Sequence, residues 1–177
     1  MIRIKKGKNE RMSHSKDRPF NAEERICRFK QSVEEFYNRM EKDWLSTPTI
    51  REHHIVINER DYQISENGVD NYEVEVKEII IDNRQMFLKP LGTMFGAIFG
   101  RIDLICEARS EMFVLIGKDI FSPRQLLDSI NMDEPSISPF PSLRELEWKY
   151  VSKYPDLKYE TVDSHVFLNV IMKVIHG

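Results

Sequence analysis

The stretch HHIVINERDYQISENGVDNYEVEVKEIIIDNRQMFLKP, residues 53–90, decides the fold. His53, Ile55 and Ile57 alternate with polar neighbours. That period of two predicts a strand over 52–59 with one face buried. Tyr62 and Ile64 read as its hairpin mate. Asn67-Gly68 follows, a pair that accepts the positive φ of a tight hairpin turn. Tyr72, Val74 and Val76 then alternate with Glu73, Glu75 and Lys77, so this strand is apolar on one face and charged on the other. At Glu78 the alternation gives way to Ile79-Ile80-Ile81, which predicts a bulge. Asp82-Asn83 turns the chain again, and Met86 to Lys89 reads as a strand that Pro90 ends.

Outward from this stretch, Ile98 to Glu107 and Met112 to Gly117 read as two more strands, joined by a turn at Ala108-Arg109-Ser110-Glu111. The short connections favour antiparallel pairing, because parallel neighbours need a crossover of a dozen or more residues. Upstream, a helix is predicted over 22–45. Asn21 and Glu24 form a capping box, and Ile26, Phe29, Val33, Phe36, Tyr37, Met40 and Trp44 recur at steps of three and four. Ser46-Thr47-Pro48 ends it. Downstream, Ser122, Pro123 and Gln125 open a short helix over 123–130, and the proline-containing segment 131–142 reads as a loop. Segment 145–153 alternates Leu146, Trp148 and Tyr150 with charged residues. It reads as a strand in preference to a helix opened by Ser142 and Glu145. Asp163 caps a last helix over 163–176, striped by Val166, Phe167, Val170, Ile171 and Val174. The expectation is an α+β fold. A long N-terminal amphipathic helix packs on a mainly antiparallel meander of five to seven strands, with a short helix and a C-terminal helix.

Composition narrows the class. With 177 residues, 41% hydrophobic, and 26 Lys+Arg against 29 Asp+Glu, the chain is sized for one domain and is too apolar to be wholly disordered. Cys27 and Cys106, 79 positions apart, supply neither a disulfide framework nor a four-cysteine zinc site. Both lie on apolar patterns and are expected to be buried. The longest uncharged apolar run, Leu91 to Gly100, is too short for the roughly 20 residues of a membrane-spanning helix. Residues 1–18 lack the apolar core of a secretory signal, so a cytoplasmic protein with reduced thiols is expected.

Charge divides the chain at Arg18/Pro19. Residues 1–18 hold seven basic and two acidic side chains, a net of +5, which leaves 19 basic and 27 acidic, a net of −8, for 19–177. The expected organisation is a basic flexible arm, 1–18, on a single acidic domain, 19–177. The arm could attract nucleic acid, but it has no aromatic to stack on a base.

Candidate sites are few. Gly92, Gly96 and Gly100 form a ladder without the lysine of a P-loop, and read as bends or close contacts. The competing reading is an apolar flap that presents Met94, Phe95 and Phe99 to a partner. Arg101 and Asp103 follow at once, two apart on a strand and so on one face, as an ion pair or a polar binding site. A metal-dependent nuclease needs carboxylates for magnesium and a lysine to orient attack. Glu75-Val-Lys77 fits that pattern, with Asp61 or Asp70 as the further acid, but Glu147-Trp-Lys149 and Asp156-Leu-Lys158 fit it too. His53 and His54 point to opposite faces if they lie on a strand, and no His-Glu-x-x-His or Gly-x-Ser-x-Gly occurs. No cofactor and no metal site is expected. The expected function is a non-catalytic protein-interaction module, an accessory subunit or an immunity-type or chaperone-like protein. The alternatives are the nuclease of Asp61, Asp70, Glu75 and Lys77, and nucleic-acid binding by the arm. Arg101, Asp103, Phe95 and Phe99 are the expected binding residues. The helix stripe and an open sheet edge also favour a homodimer.

Overall fold

Alternating apolar residues and tight turns lay each strand beside the one before it. The computed structural model describes residues 22–93, 98–130, 145–153 and 155–176. Helix α1 (Ala22–Arg39) runs into a π-helical turn (Met40–Trp44), and α2 (Pro48–Arg51) is a single short turn. The strands are β1 (Ile55–Ile64), β2 (Tyr72–Ile81), β3 (Arg84–Gly92), β4 (Gly100–Cys106), β5 (Arg109–Gly117), β6 (Leu146–Ser152) and β7 (Lys158–Thr161). They form one antiparallel sheet in chain order β1 to β7. Helix α3 (Pro123–Ile130) falls between β5 and β6, and α4 (Ser164–His176) ends the fold. The fold is therefore α+β, with a meander of seven strands. The basic arm, the Asn21 cap, Met94, Phe95 and the loop 131–142 lie outside the described residues.

The main core lies where α1, the π turn and α4 cover one face of the sheet. Phe36 is its hub, with ring centroids 5.1 Å from Trp44, 5.3 Å from Phe113, 5.5 Å from Trp148 and 6.1 Å from Phe167. Removing a fully buried Phe of this kind typically costs about 3–5 kcal/mol. The Trp148 indole donates to the Ser32 carbonyl at 2.9 Å, so the buried ring also ties β6 to α1. On the opposite face Val114, Ile116, Val151 and Tyr159 form a smaller cluster with Leu126 of α3. The caps behave as their residue types require. The Ser122 hydroxyl accepts from the Gln125 amide at 3.3 Å, and the Asp163 carboxylate accepts from the Val166 amide at 2.8 Å.

Several local expectations are corrected. Residues 52–59 and 62–64 are not hairpin mates but one strand, β1, and their common mate is β2. The core-facing parity changes along this pair. Ile55, Ile57, Ile79 and Ile81 pack on the core at one end, and Ile64, Tyr72 and Val74 at the other. The β1–β2 ladder runs without interruption from Ile55↔Ile81 to Ile64↔Tyr72, so there is no bulge at Glu78. The β2–β3 ladder spans only Lys77–Ile81, which leaves the distal β1–β2 ribbon two strands wide. Two-stranded ribbons twist more strongly than broad sheets, and the twist brings the other face inward. The irregularity sits instead between Pro90 and Gly92 of β3. Pro90 does not end β3, because it lies beside this bulge and beyond the ladder to β2, where its missing N–H costs little. β5 starts at Arg109, so the turn is two residues shorter than expected. β7 carries a single buried residue, Tyr159, too little for a period. His53 and His54 precede β1. His53 pairs with the Asp82 carboxylate, which also accepts from the His54 amide at 3.1 Å. Cys27 is exposed, since it falls to one side of the α1 stripe, whereas Cys106 is buried.

Candidate functional site

The distal β1–β2 ribbon and α1 enclose a cleft of about 1420 Å³. Sites for small molecules are usually roughly 300–1,000 Å³, so this one has room for an extended peptide. α1 and the π turn contribute one wall, with Glu23, Cys27, Gln31, Glu34 and Asn38 of α1 and Glu41 of the π turn recurring at helical spacing. The ribbon contributes the other, through Glu59 and Asp61 of β1 and Glu73, Glu75 and Lys77 of β2. Asp70 stands at the ribbon's tip. Ile26, Val33, Tyr37 and Val74 give the cleft an apolar lining between the charges. Eight carboxylates and two lysines line it, a net of −6.

Lys77 anchors the closed end. Its side chain is 5% exposed, and its ammonium bonds Glu59, lies 2.9 Å from Glu41 and lies 3.6 Å from Glu75. Glu59 is its cross-strand partner, and Glu41 reaches it from the π turn. Burial alone would lower the lysine's pKa, but the bonds to Glu59 and Glu41 outweigh it and hold the pKa above its ordinary value. The Tyr37 hydroxyl donates to the carbonyls of Glu75 at 3.0 Å and Leu88 at 3.1 Å, which fixes α1 where β2 joins β3. Burial drives the Tyr37 pKa above its ordinary value, so the phenol stays neutral.

Outside the cleft's lining, Glu66 ties the ribbon's turn to Thr93 at the end of β3. Its carboxylate accepts from the Tyr72 hydroxyl, from the Thr93 amide at 2.7 Å and from the Thr93 hydroxyl at 3.0 Å. Gly92 sits beside these bonds with φ +114°, and a Cβ there would lie 2.3 Å from the Glu66 carboxylate. Only glycine meets both conditions without strain. Gly100 is also a close contact, since its Cβ would lie 2.6 Å from the Phe29 ring. Two rungs of the glycine ladder are thus points of close packing, and Gly96 is outside the described residues.

The structure gathers Asp61, Asp70, Glu75 and Lys77 along the cleft, with Asp61 opposite Glu75 in the ladder. Lys77 is committed to carboxylates rather than open to a ligand. Among the described residues no three His, Cys, Asp or Glu side chains converge as a metal site. Glu147-Trp-Lys149 shows the same pairing. Lys149 is fully buried, 2.5 Å from Glu147 and 2.7 Å from the Thr161 hydroxyl. Acid and lysine two apart on a strand share a face, so this short pattern yields an ion pair.

Arg101 and Asp103 lie apart from the cleft, on the sheet face opposite α1. The Arg101 guanidinium donates two bonds to the Asp103 carboxylate, at 2.7 and 2.8 Å. The hydrogen bonds to Asp103 hold the Arg101 pKa above its ordinary value. Phe99 is half-buried against the main core, with its amide on the Leu115 carbonyl at 2.8 Å, and Phe95 is outside the described residues. Sequence reasoning missed Glu41 and Glu59. The register could have supplied Glu59, because a turn centred on Gly68 places it opposite Lys77. Among the described residues no helix is long and apolar enough to cross a membrane. Comparison with protein-family models, with curated proteins and with solved structures finds no match.

Proposed function

We propose that the protein is a non-catalytic interaction module whose cleft takes an extended, Lys/Arg-rich segment of a protein partner. The supporting observation is the cleft's charge, eight carboxylates against two lysines, one of which is already held by Glu41, Glu59 and Glu75. An apolar lining between carboxylates suits the methylene stems of lysine and arginine, whose charged ends reach the rim. Electrostatic complementarity of this kind contributes mainly to specificity and to the rate of encounter.

A fluorescent Lys/Arg-rich peptide titrated into protein whose arm is neutralised by Lys5→Gln/Lys6→Gln/Lys8→Gln/Arg11→Gln, with and without the cleft changes below, tests the reading. Glu34 and Glu73 are exposed and lie outside the Lys77 cluster. At about 0.7 kcal/mol for each lost pair, the double variant Glu34→Gln/Glu73→Gln should bind roughly tenfold more weakly. Equal affinity for the two proteins, or no binding by either, would count against it.

A further inference from the structure

The α1 end of the cleft is also where the described chain begins. Ala22 and Glu23 are part of its lining, and the residues before them carry the basic arm. The two halves of the chain are complementary, with a net of +5 over residues 1–18 and a net of −6 around the cleft. Reach is ample. Residues 1–21 extended span up to about 70 Å. The helical wall from Ala22 to Glu41 is only about 30 Å long. The arm is therefore long enough to bring any of its basic residues, Lys5, Lys6 and Lys8 included, alongside the wall. The isolated apolar residues Ile2, Ile4 and Met12 suit the cleft's apolar lining.

We propose that the protein's own arm, residues 1–18, lies in the acidic cleft and must be displaced by any basic partner. The inference rests on the reading of the cleft as a site for basic peptides, and makes that site self-regulated. A tethered segment has an effective concentration of roughly a millimolar. If the cleft binds a free peptide at about 50–100 μM, the tethered arm fills it more than nine-tenths of the time. The apparent affinity for a partner then falls by roughly ten- to twentyfold. Salt weakens the arm and the partner together, so occupancy is greatest at low ionic strength.

The experiment uses the full chain and an arm variant, Lys5→Gln/Lys6→Gln/Lys8→Gln/Arg11→Gln. Zero-length carbodiimide condenses a lysine amine with a carboxylate, with loss of water, and mass spectrometry locates the amide. Bonds within one chain from Lys5, Lys6, Lys8 or Lys16 to Glu34, Asp61, Asp70 or Glu73 are expected. The fluorescent basic peptide should bind the arm variant about tenfold more tightly than the full chain. Absence of arm–cleft bonds, with equal peptide affinities still weakened by Glu34→Gln/Glu73→Gln, would overturn the self-occupied cleft and leave the cleft as a peptide site. Bonds between chains that disappear on dilution would overturn it in favour of a second copy's arm. Bonds within the chain, with no peptide bound by either protein, would support arm occupancy while removing the partner reading.

Discussion

Replacing Gly100 with alanine tests how α1 is seated on the sheet. The new Cβ would lie 2.6 and 2.8 Å from two ring carbons of Phe29 and 3.3 Å from the Trp148 ring. Ordinary contact begins near 3.4 Å. The Phe29 ring must therefore retreat by close to an ångström, yet it is 1% exposed and stands edge-on to Tyr72, with centroids 6.5 Å apart. Phe29 belongs to α1 and Tyr72 to β2, so the displacement reaches both walls of the cleft. Overpacking of this kind costs roughly 1–3 kcal/mol. A chain of this size loses about 2–4 °C per kcal/mol, so the melting temperature should fall by roughly 2–12 °C. Urea unfolding of Gly100→Ala, Phe29→Leu and the double variant separates the terms. Phe29→Leu should lose stability by itself, but the double variant should be at least 1 kcal/mol more stable than the sum of the single changes implies, roughly the coupling expected of side chains in contact. A Gly100→Ala protein within about 0.5 kcal/mol of the parent, or strictly additive changes, would refute this seating.

Lys77→Gln should destabilise by about 1–2 kcal/mol, less than a fully buried pair because the three carboxylates are partly exposed. Since the folded-state pKa of Lys77 is raised, its contribution is complete below the unfolded value near 10.4 and is lost as pH rises through the folded one. Urea midpoints of parent and variant should therefore differ steadily from pH 7 to 10 and converge above it; a gap unchanged at pH 11 would contradict this. Asp82, with its pKa lowered by His53 and the His54 amide, gives the opposite sign. Its contribution is present above the unfolded value near 3.9 and disappears as pH falls through the folded one, so Asp82→Asn, which tolerates the φ of 48°, should match the parent only in acid. Loss of the α4 cap in Asp163→Ala should cost about 1 kcal/mol and speed hydrogen exchange at Val166.

Much of the fold was legible because long elements with one buried face leave a period. The α1 stripe, the Asp163 cap and the alternation of Trp148 and Tyr150 each map onto the element they suggest. Reading stopped where burial changed sides. Ile57 and Tyr62 have opposite parity yet share a strand, and a local pattern reads such a change as a turn. Pro90 misled for a related reason, since its cost depends on a neighbouring strand that sequence does not show. Glu75 and Lys77 stood out in the sequence, but their surroundings did not. Glu41 comes from a helix face that reads as solvated, and Glu59 requires the hairpin register. Acidic residues facing each other across a cleft look, one segment at a time, like ordinary surface.

The central claim is that basic peptide enters between α1 and the ribbon. Backbone amide shifts recorded while a Lys/Arg-rich peptide is added to the full chain test it most directly. The account predicts perturbations concentrated in residues 22–41 and 59–77, fading as salt is raised. Shifts centred instead on β4 around Arg101 and Asp103, or none at saturating peptide, would contradict it.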